Sequence, residues 1–272
     1  LGVILLMLPQ DLYRHQPRKR FGQHFLHDKN IINRIVAAVN PQPDQQIVEI
    51  GPGLGALTTV LLPAAKRLQA IELDRDVIPH LQMQCAKLGE LIVHQQDVLT
   101  TDWATIAGGQ LASLRVVGNL PYNISTPLIF QLLEQSAYLI DMHFMLQKEV
   151  VDRMIAKPDS ADYGRLSVMV QYFCQAESLF KVSPGAFTPP PKVDSAVVRL
   201  TPYRQLPFVA RDRELFATIV REAFNKRRKT LSNALKGFVN NDQLIAVGIS
   251  PQARAETLSV AQFVAIANGE KT

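Results

Sequence analysis

Apolar positions along the first three quarters of the chain alternate between two rhythms. From Asp28 to Val39, Ile31, Ile32, Ile35, Val36 and Val39 recur at helical spacing, with Asp28 placed to cap the start. Asn40-Pro41-Gln42-Pro43 ends that stretch. A short apolar run, Ile47-Val48-Glu49-Ile50, follows and breaks at once into Gly51-Pro52-Gly53-Leu54-Gly55. A helical stretch then extends to Ala65. A second strand is predicted over 67–71, a helix over 74–88, and further strands over 91–94, 115–117 and 141–146. Strands alternating with helices of this length predict a parallel sheet with crossover connections. Two later strands, around 176–182 and 196–201, read as an antiparallel addition.

After a proline-bounded linker near 201–207 the pattern turns wholly helical, over 214–225, 229–238, 241–247, 252–257 and 260–267. The expected organisation is therefore a flexible N-terminal extension (1–17), an α/β domain (18–202) and a small all-helical domain (207–272). There is no internal repeat and no low-complexity tract.

Composition adds limits. With 272 residues, 47% hydrophobic and 19% charged, the chain reads as an ordinary globular protein. The net charge of +5 is unevenly spread: from Pro207 onward there are 10 Lys+Arg against 6 Asp+Glu, and 19 against 18 before it. A basic C-terminal quarter fits an anionic partner. Cys85 and Cys174 lie far apart and match no metal-ligand spacing, so neither a disulfide scaffold nor a metal is expected. The apolar octet Leu1–Leu8 is too short to span a membrane, and its basic residues follow it rather than precede it. Met7 reads as an alternative start. These features lead us to expect a cytoplasmic protein with no membrane association.

The first candidate chemistry is the loop Gly51-x-Gly53-x-Gly55 between a strand and a helix, where glycines let the backbone turn sharply and approach a ligand. Glu72 ends the second strand, where a carboxylate can accept from both ribose hydroxyls of a bound nucleoside. Loop and acid together suit a nicotinamide dinucleotide and S-adenosylmethionine equally. Asp97, directly after the third strand, shifts the balance. Its carboxylate can accept from the exocyclic amine of a cofactor adenine, which a nicotinamide enzyme does not specifically need.

Asn119-Leu120-Pro121-Tyr122 follows the fourth strand, at the sheet edge where reacting groups gather. The motif suits methyl transfer to the N6 amine of adenine, a poor nucleophile because its lone pair is delocalised into the ring. Two acceptors on its protons would favour a pyramidal nitrogen. The Asn119 side-chain oxygen and a backbone carbonyl next to Pro121 can supply them, with Pro121 fixing the local φ. Tyr122 offers a stacking face worth roughly 1–3 kcal/mol. Phe187, in the proline-stiffened run Ala186-Phe187-Thr188-Pro189-Pro190-Pro191-Lys192-Val193, is the candidate for a second stacking wall.

These motifs, in this order, closely resemble the ribosomal RNA adenine N6,N6-dimethyltransferase family. The likeness is carried by Arg18-Lys19-Arg20-Phe21-Gly22-Gln23-His24-Phe25-Leu26, by Glu49-Ile50-Gly51-Pro52-Gly53-Leu54-Gly55-Ala56-Leu57-Thr58, by Asn119-Leu120-Pro121-Tyr122-Asn123-Ile124-Ser125-Thr126-Pro127, and by Phe187-Thr188-Pro189-Pro190-Pro191-Lys192-Val193-Asp194-Ser195. It spans about 18–199, and the basic helical tail continues it. The resemblance implies a Rossmann-like class I S-adenosylmethionine methyltransferase fold, with a mostly parallel seven-stranded sheet in a catalytic domain and a small all-helical RNA-binding domain. It implies cofactor contacts at His24, Leu26, Gly51, Gly53, Gly55, Glu72, Asp97 and Asn119, and a target base between Tyr122 and Phe187. His24 stands where the family often has Asn.

The branch most resembled is the bacterial small-subunit enzyme, which dimethylates two adjacent adenosines in the 3′-terminal hairpin loop of 16S rRNA during subunit assembly. A sister branch acts on 23S rRNA and confers antibiotic resistance. The intact Phe187–Ser195 run and the chain length favour the first. The expected partner is 16S rRNA in the pre-30S subunit, bound by a monomer through Arg221, Lys226, Arg227, Arg228 and Lys229. Five basic residues and one acid between Arg221 and Lys229 make a broad phosphate-binding surface.

Overall fold

The structure is a computed structural model that describes residues 24–226 and 228–270. The expected N-terminal extension, the Arg18–Gln23 part of the first motif and the Arg227 side chain lie outside the described residues.

In chain order the elements are β1 (Phe25–Leu26), α1 (Lys29–Val39), β2 (Gln46–Ile50), α2 (Thr58–Ala65), β3 (Arg67–Glu72), α3 (Ile78–Cys85), β4 (Glu90–Gln95), α4 (Trp103–Ile106), β5 (Leu114–Asn119), α5 (Ser125–Glu134), β6 (Leu139–Gln147), α6 (Lys148–Ile155), α7 (Arg165–Phe173), β7 (Cys174–Val182), β8 (Phe187–Thr188), β9 (Ser195–Pro202), α8 (Arg213–Asn225), α9 (Leu231–Ala234), α10 (Asn241–Ala246) and α11 (Val260–Asn268).

Seven strands form the main sheet in the order β4-β3-β2-β5-β6-β9-β7. β4 through β6 are parallel, and β9 runs antiparallel to both β6 and β7. β9 and β7 are the expected antiparallel addition.

Side chains alternate between two cores, as the pleat requires. Val116, Phe144 and Val198 point into one, and Val117, Met145 and Val197 into the other. The first core continues through Tyr163, Val168 and Tyr172 to Phe216, Ile219, Leu231 and Phe263. The C-terminal helices thus pack through the same apolar cluster as one face of the sheet. The second core joins α1, α2 and α3 to the other face.

Local chemistry sets the boundaries. Asp28 caps α1, accepting from the N–H groups of Asn30 and Ile31. Pro79 fits the first turn of α3, so that helix begins at Ile78 rather than at Asp74 as the periodicity suggests. The helix expected over 252–257 is only a short 3-10 turn, Ala255–Thr257. The one expected over 229–238 shrinks to α9, with Gly237 in the left-handed region beyond it.

The strand order reverses between β2 and β5, so the loops after those two strands face one crevice. Gly118 permits their close approach, since a Cβ there would lie 2.8 Å from the Ile50 carbonyl.

Candidate active site

A cavity of about 1580 Å³ opens at this crevice. The glycine loop lines it with Gly51, Gly53 and Gly55, all at positive φ. The space around the loop is tight: a Cβ on Gly55 would meet Leu81 Cδ1 at 2.9 Å.

Glu72 ends β3 and is 7% exposed. Its carboxylate accepts from the Gly53 N–H at 3.1 Å and the Asp74 N–H at 2.8 Å. These bonds tie the loop to the acid, and each oxygen keeps a further acceptor position for a ribose hydroxyl. Burial raises the Glu72 pKa, and the two backbone donors work against that. Asp97 uses Oδ1 to cap the following turn through the Leu99 N–H at 2.9 Å. The same residue lines the cavity, so it serves the turn and remains available to a ligand.

The sequence reading passed over Glu49 as a functional residue. It sits inside apolar β2, 2% exposed, and lines the cavity. Thr58 Oγ1 donates to its Oε2 at 2.7 Å. Desolvation pushes Glu49 up to about 7, opposed by the Thr58 bond and reinforced by the Glu72 charge. A lone carboxylate within an apolar strand, two residues before a glycine loop, is the signal that could have found it.

Asn119 closes β5, half-buried at the cavity wall. Its Nδ2 donates to the His24 carbonyl at 3.0 Å, which fixes the amide and leaves Oδ1 as the free acceptor. The next two carbonyls differ. That of Pro121 accepts from the Ile124 N–H at 3.2 Å, whereas that of Leu120 takes no described hydrogen bond. The Leu120 carbonyl is therefore the one beside Pro121 open to a ligand among the described residues, while the Leu120 side chain is buried. Tyr122 is half-buried, and its hydroxyl is within 2.9 Å of Ser195 Oγ. Burial raises its pKa, so the ring remains a neutral phenol.

His24 is set by a two-stranded sheet in which Phe25 faces Thr188 and Leu26 faces Phe187. Its Nδ1 lies 2.7 Å from the Pro189 carbonyl, so Nδ1 carries the proton. The His24 ring stands 5.6 Å from that of Tyr122.

Of the sequence-predicted site residues, His24, Leu26, Gly51, Gly53, Gly55, Glu72, Asp97, Asn119, Leu120, Pro121 and Tyr122 all line this one cavity. Phe187 does not. Its ring is 3% exposed and packs in the second core, and Thr188 lines the cavity instead. The expected second stacking wall is thus found packed in the second core rather than lining the cavity. Arg221, Lys226, Arg228 and Lys229 are exposed at the end of α8 and beyond it, outside the cavity. Among the described residues no cluster of His, Cys, Asp or Glu could hold a metal ion. Nor is any helix among them long and apolar enough to cross a membrane.

A switch-point crevice, a glycine loop bonded to a strand-end carboxylate, and an Asn-x-Pro-Tyr corner together define a class I S-adenosylmethionine-dependent methyltransferase. The match to known proteins is more specific. The chain belongs to the ribosomal RNA adenine dimethylase family, which matches residues 14–270. A protein of Pseudomonas syringae pv. syringae named ribosomal RNA small subunit methyltransferase A is 54% identical over 256 residues, covering 94% of this chain and 95% of that one. The protein of the same name from Nitrosococcus oceani is 56% identical over 252 residues, covering 93% and 95%. The crystal structure of a dimethyladenosine transferase from Plasmodium falciparum superposes with a TM-score of 0.77 at 27% identity, covering 89% of this chain and 96% of that one.

Proposed function

We propose that this chain transfers two methyl groups to N6 of each of two adjacent adenosines in the 3′-terminal hairpin loop of small-subunit rRNA. On this reading it acts as a cytoplasmic monomer on the assembling 30S subunit. The small-subunit name of relatives about half identical over nearly the whole chain supports this substrate over 23S rRNA.

The observation that carries the chemistry is the orientation of Asn119. With Nδ2 committed to the His24 carbonyl, Oδ1 and the Leu120 carbonyl, which takes no hydrogen bond among the described residues, are two acceptors at one corner of the cavity. Together they accept hydrogen bonds from the two amine N–H groups of adenine, which favours a pyramidal nitrogen with its lone pair available for attack. Tyr122 supplies the stacking face.

The cavity fits S-adenosylmethionine, which supplies an activated methyl group when bound. Glu72 would hold the ribose and Asp97 the adenine amine, and the glycine loop would lie against the chain joining them. Glu49 Oε1 takes no hydrogen bond among the described residues, which suits the ammonium of the amino-acid end. Because the methyl is already activated, positioning does most of the work. Near-attack placement contributes on the order of 7–11 kcal/mol. An unpaired hairpin loop makes the base cheap to unstack.

The test is transfer of labelled methyl to 30S subunits that lack the modification, followed by mass spectrometry of the rRNA. N6,N6-dimethyladenosine at two adjacent positions is the expected product. Label on 23S rRNA, or none on N6 of adenine, would overturn the reading.

A further inference from the structure

A second, smaller cavity lies between the N-terminal end of α7 and the C-terminal end of α8, away from the methyl-transfer crevice. Asp162, Tyr163, Arg165 and Phe224 are among its walls. The Arg165 guanidinium lies over the Phe130 ring, 4.7 Å from its centre. Stacked that way, its edge N–H groups remain free to bind an anion. Arg165 is exposed and has no carboxylate partner among the described residues. Arg153 also reaches this cavity but is already paired with Glu149 one turn away.

Arg221 does not itself line this cavity but stands beside it on α8. It precedes Phe224 by three residues and so shares its helix face, and α8 packs against α7. Its Nε is paired with Glu222 at 2.9 Å, which leaves the two terminal nitrogens outward. Burial and the Arg221 charge both hold the Arg165 guanidinium below its ordinary range, as expected of two cations brought together. Asp162 is the only carboxylate in the cavity wall among the described residues.

We infer that this crevice binds a backbone phosphate of the substrate RNA, gripped by Arg165 and Arg221 together. The inference rests on the proposed rRNA substrate and adds to the Arg221–Lys229 stretch a contact at Arg165, which no charge run in the sequence marks. The placement suits a strand leading away from the target base, since Phe130 lies on α5, the helix that begins just after Tyr122.

The test measures binding of unmodified 30S subunits to wild type, Arg165→Gln and Arg221→Gln across a salt series. Each substitution is expected to weaken binding about tenfold near 0.1 M salt. Each is also expected to lower the slope of log affinity against log salt by somewhat less than one, the loss of a single phosphate contact. Cofactor affinity should be unchanged. Arg165→Lys, which keeps the charge, should keep the slope. If Arg165→Gln fails to fold by thermal melting, Arg221→Gln on its exposed helix face carries the same expectation. Wild-type affinity and slope in the folded variants would overturn the inference. So would a loss confined to inorganic-phosphate binding with RNA affinity unmoved. If wild type methylates 30S subunits while these variants bind normally, only this inference fails and the proposed function stands.

Discussion

Glu49→Gln isolates the cost of keeping a carboxylate beside the cofactor loop. Burial raises the Glu49 pKa from 4.5 to about 7. At 1.36 kcal/mol per pH unit, that gap corresponds to about 3 kcal/mol against the ionised form. The sign follows from proton binding. Between pH 4.5 and 7 the folded protein holds a proton on Glu49 that the unfolded chain has released. Stability contributed at this position therefore falls as pH rises through that window and levels off above it. A glutamine amide in its place cannot ionise and can still accept from Thr58. In the absence of cofactor the variant should match wild type near pH 4.5 and exceed it by up to about 3 kcal/mol at pH 8. For a chain of this size the gain is on the order of 10 °C in melting temperature.

Denaturant unfolding of both proteins at several pH values measures this directly, and parallel pH profiles would refute the reasoning. Binding gives an independent readout. A cationic ligand group beside Glu49 favours its ionised form, so wild type should release a fraction of a proton on binding S-adenosylmethionine near pH 7. Calorimetry in two buffers of different ionisation enthalpy detects that release. Glu49→Gln should show none and should bind the cofactor more weakly, giving up a charged contact to gain stability.

Asn119→Ala removes the side-chain acceptor and should lower methyl transfer by about 10²–10³-fold, by analogy with loss of one preorganised hydrogen-bonding group in other active sites. Its affinity for 30S subunits should be unchanged, and single-turnover kinetics with a binding titration separate the two. Phe187→Ala should cost about 3–5 kcal/mol of stability, because it empties a core site. Tyr122→Ala should instead lose turnover with little loss of stability, and chemical denaturation beside activity distinguishes them. Arg115→Ala should destabilise by about 3–5 kcal/mol by stranding Asp141. That pair is buried at the edge of the sheet opposite the cavity, with Nη2 to Oδ2 at 2.8 Å. Cofactor affinity in the folded fraction should stay at the wild-type value.

Much of the sheet can be read from the chain because each parallel strand is a short apolar run bounded by punctuation. Gly51 follows β2, Glu72 ends β3 and Asn119 ends β5. The polar residues that mark those ends are also the ones the crevice gathers, so strand boundaries and candidate site were legible together. Long-range packing was less so. Gly118 looks like an ordinary strand glycine until β2 is known to pass beside it. Glu49 looks like a register defect until its burial and the Thr58 bond are seen. Arg165 belongs to no charge run, and its pairing with Arg221 depends on how α7 meets α8.

Phe187 is another case in which placement depends on a distant partner. It occupies a two-residue strand, too short for a period-two pattern to tell one face from the other. Thr188 lines the cavity and Phe187 does not, and both are held in place by pairing with β1, where Leu26 faces Phe187 and Phe25 faces Thr188. That partner lies far back in the chain, before α1, and no local signal in the proline-rich run encodes it. The same pairing sets His24, whose carbonyl holds Asn119 Nδ2. Packed in the second core, Phe187 anchors the short strand paired with β1, which places His24 and through its carbonyl the Asn119 amide.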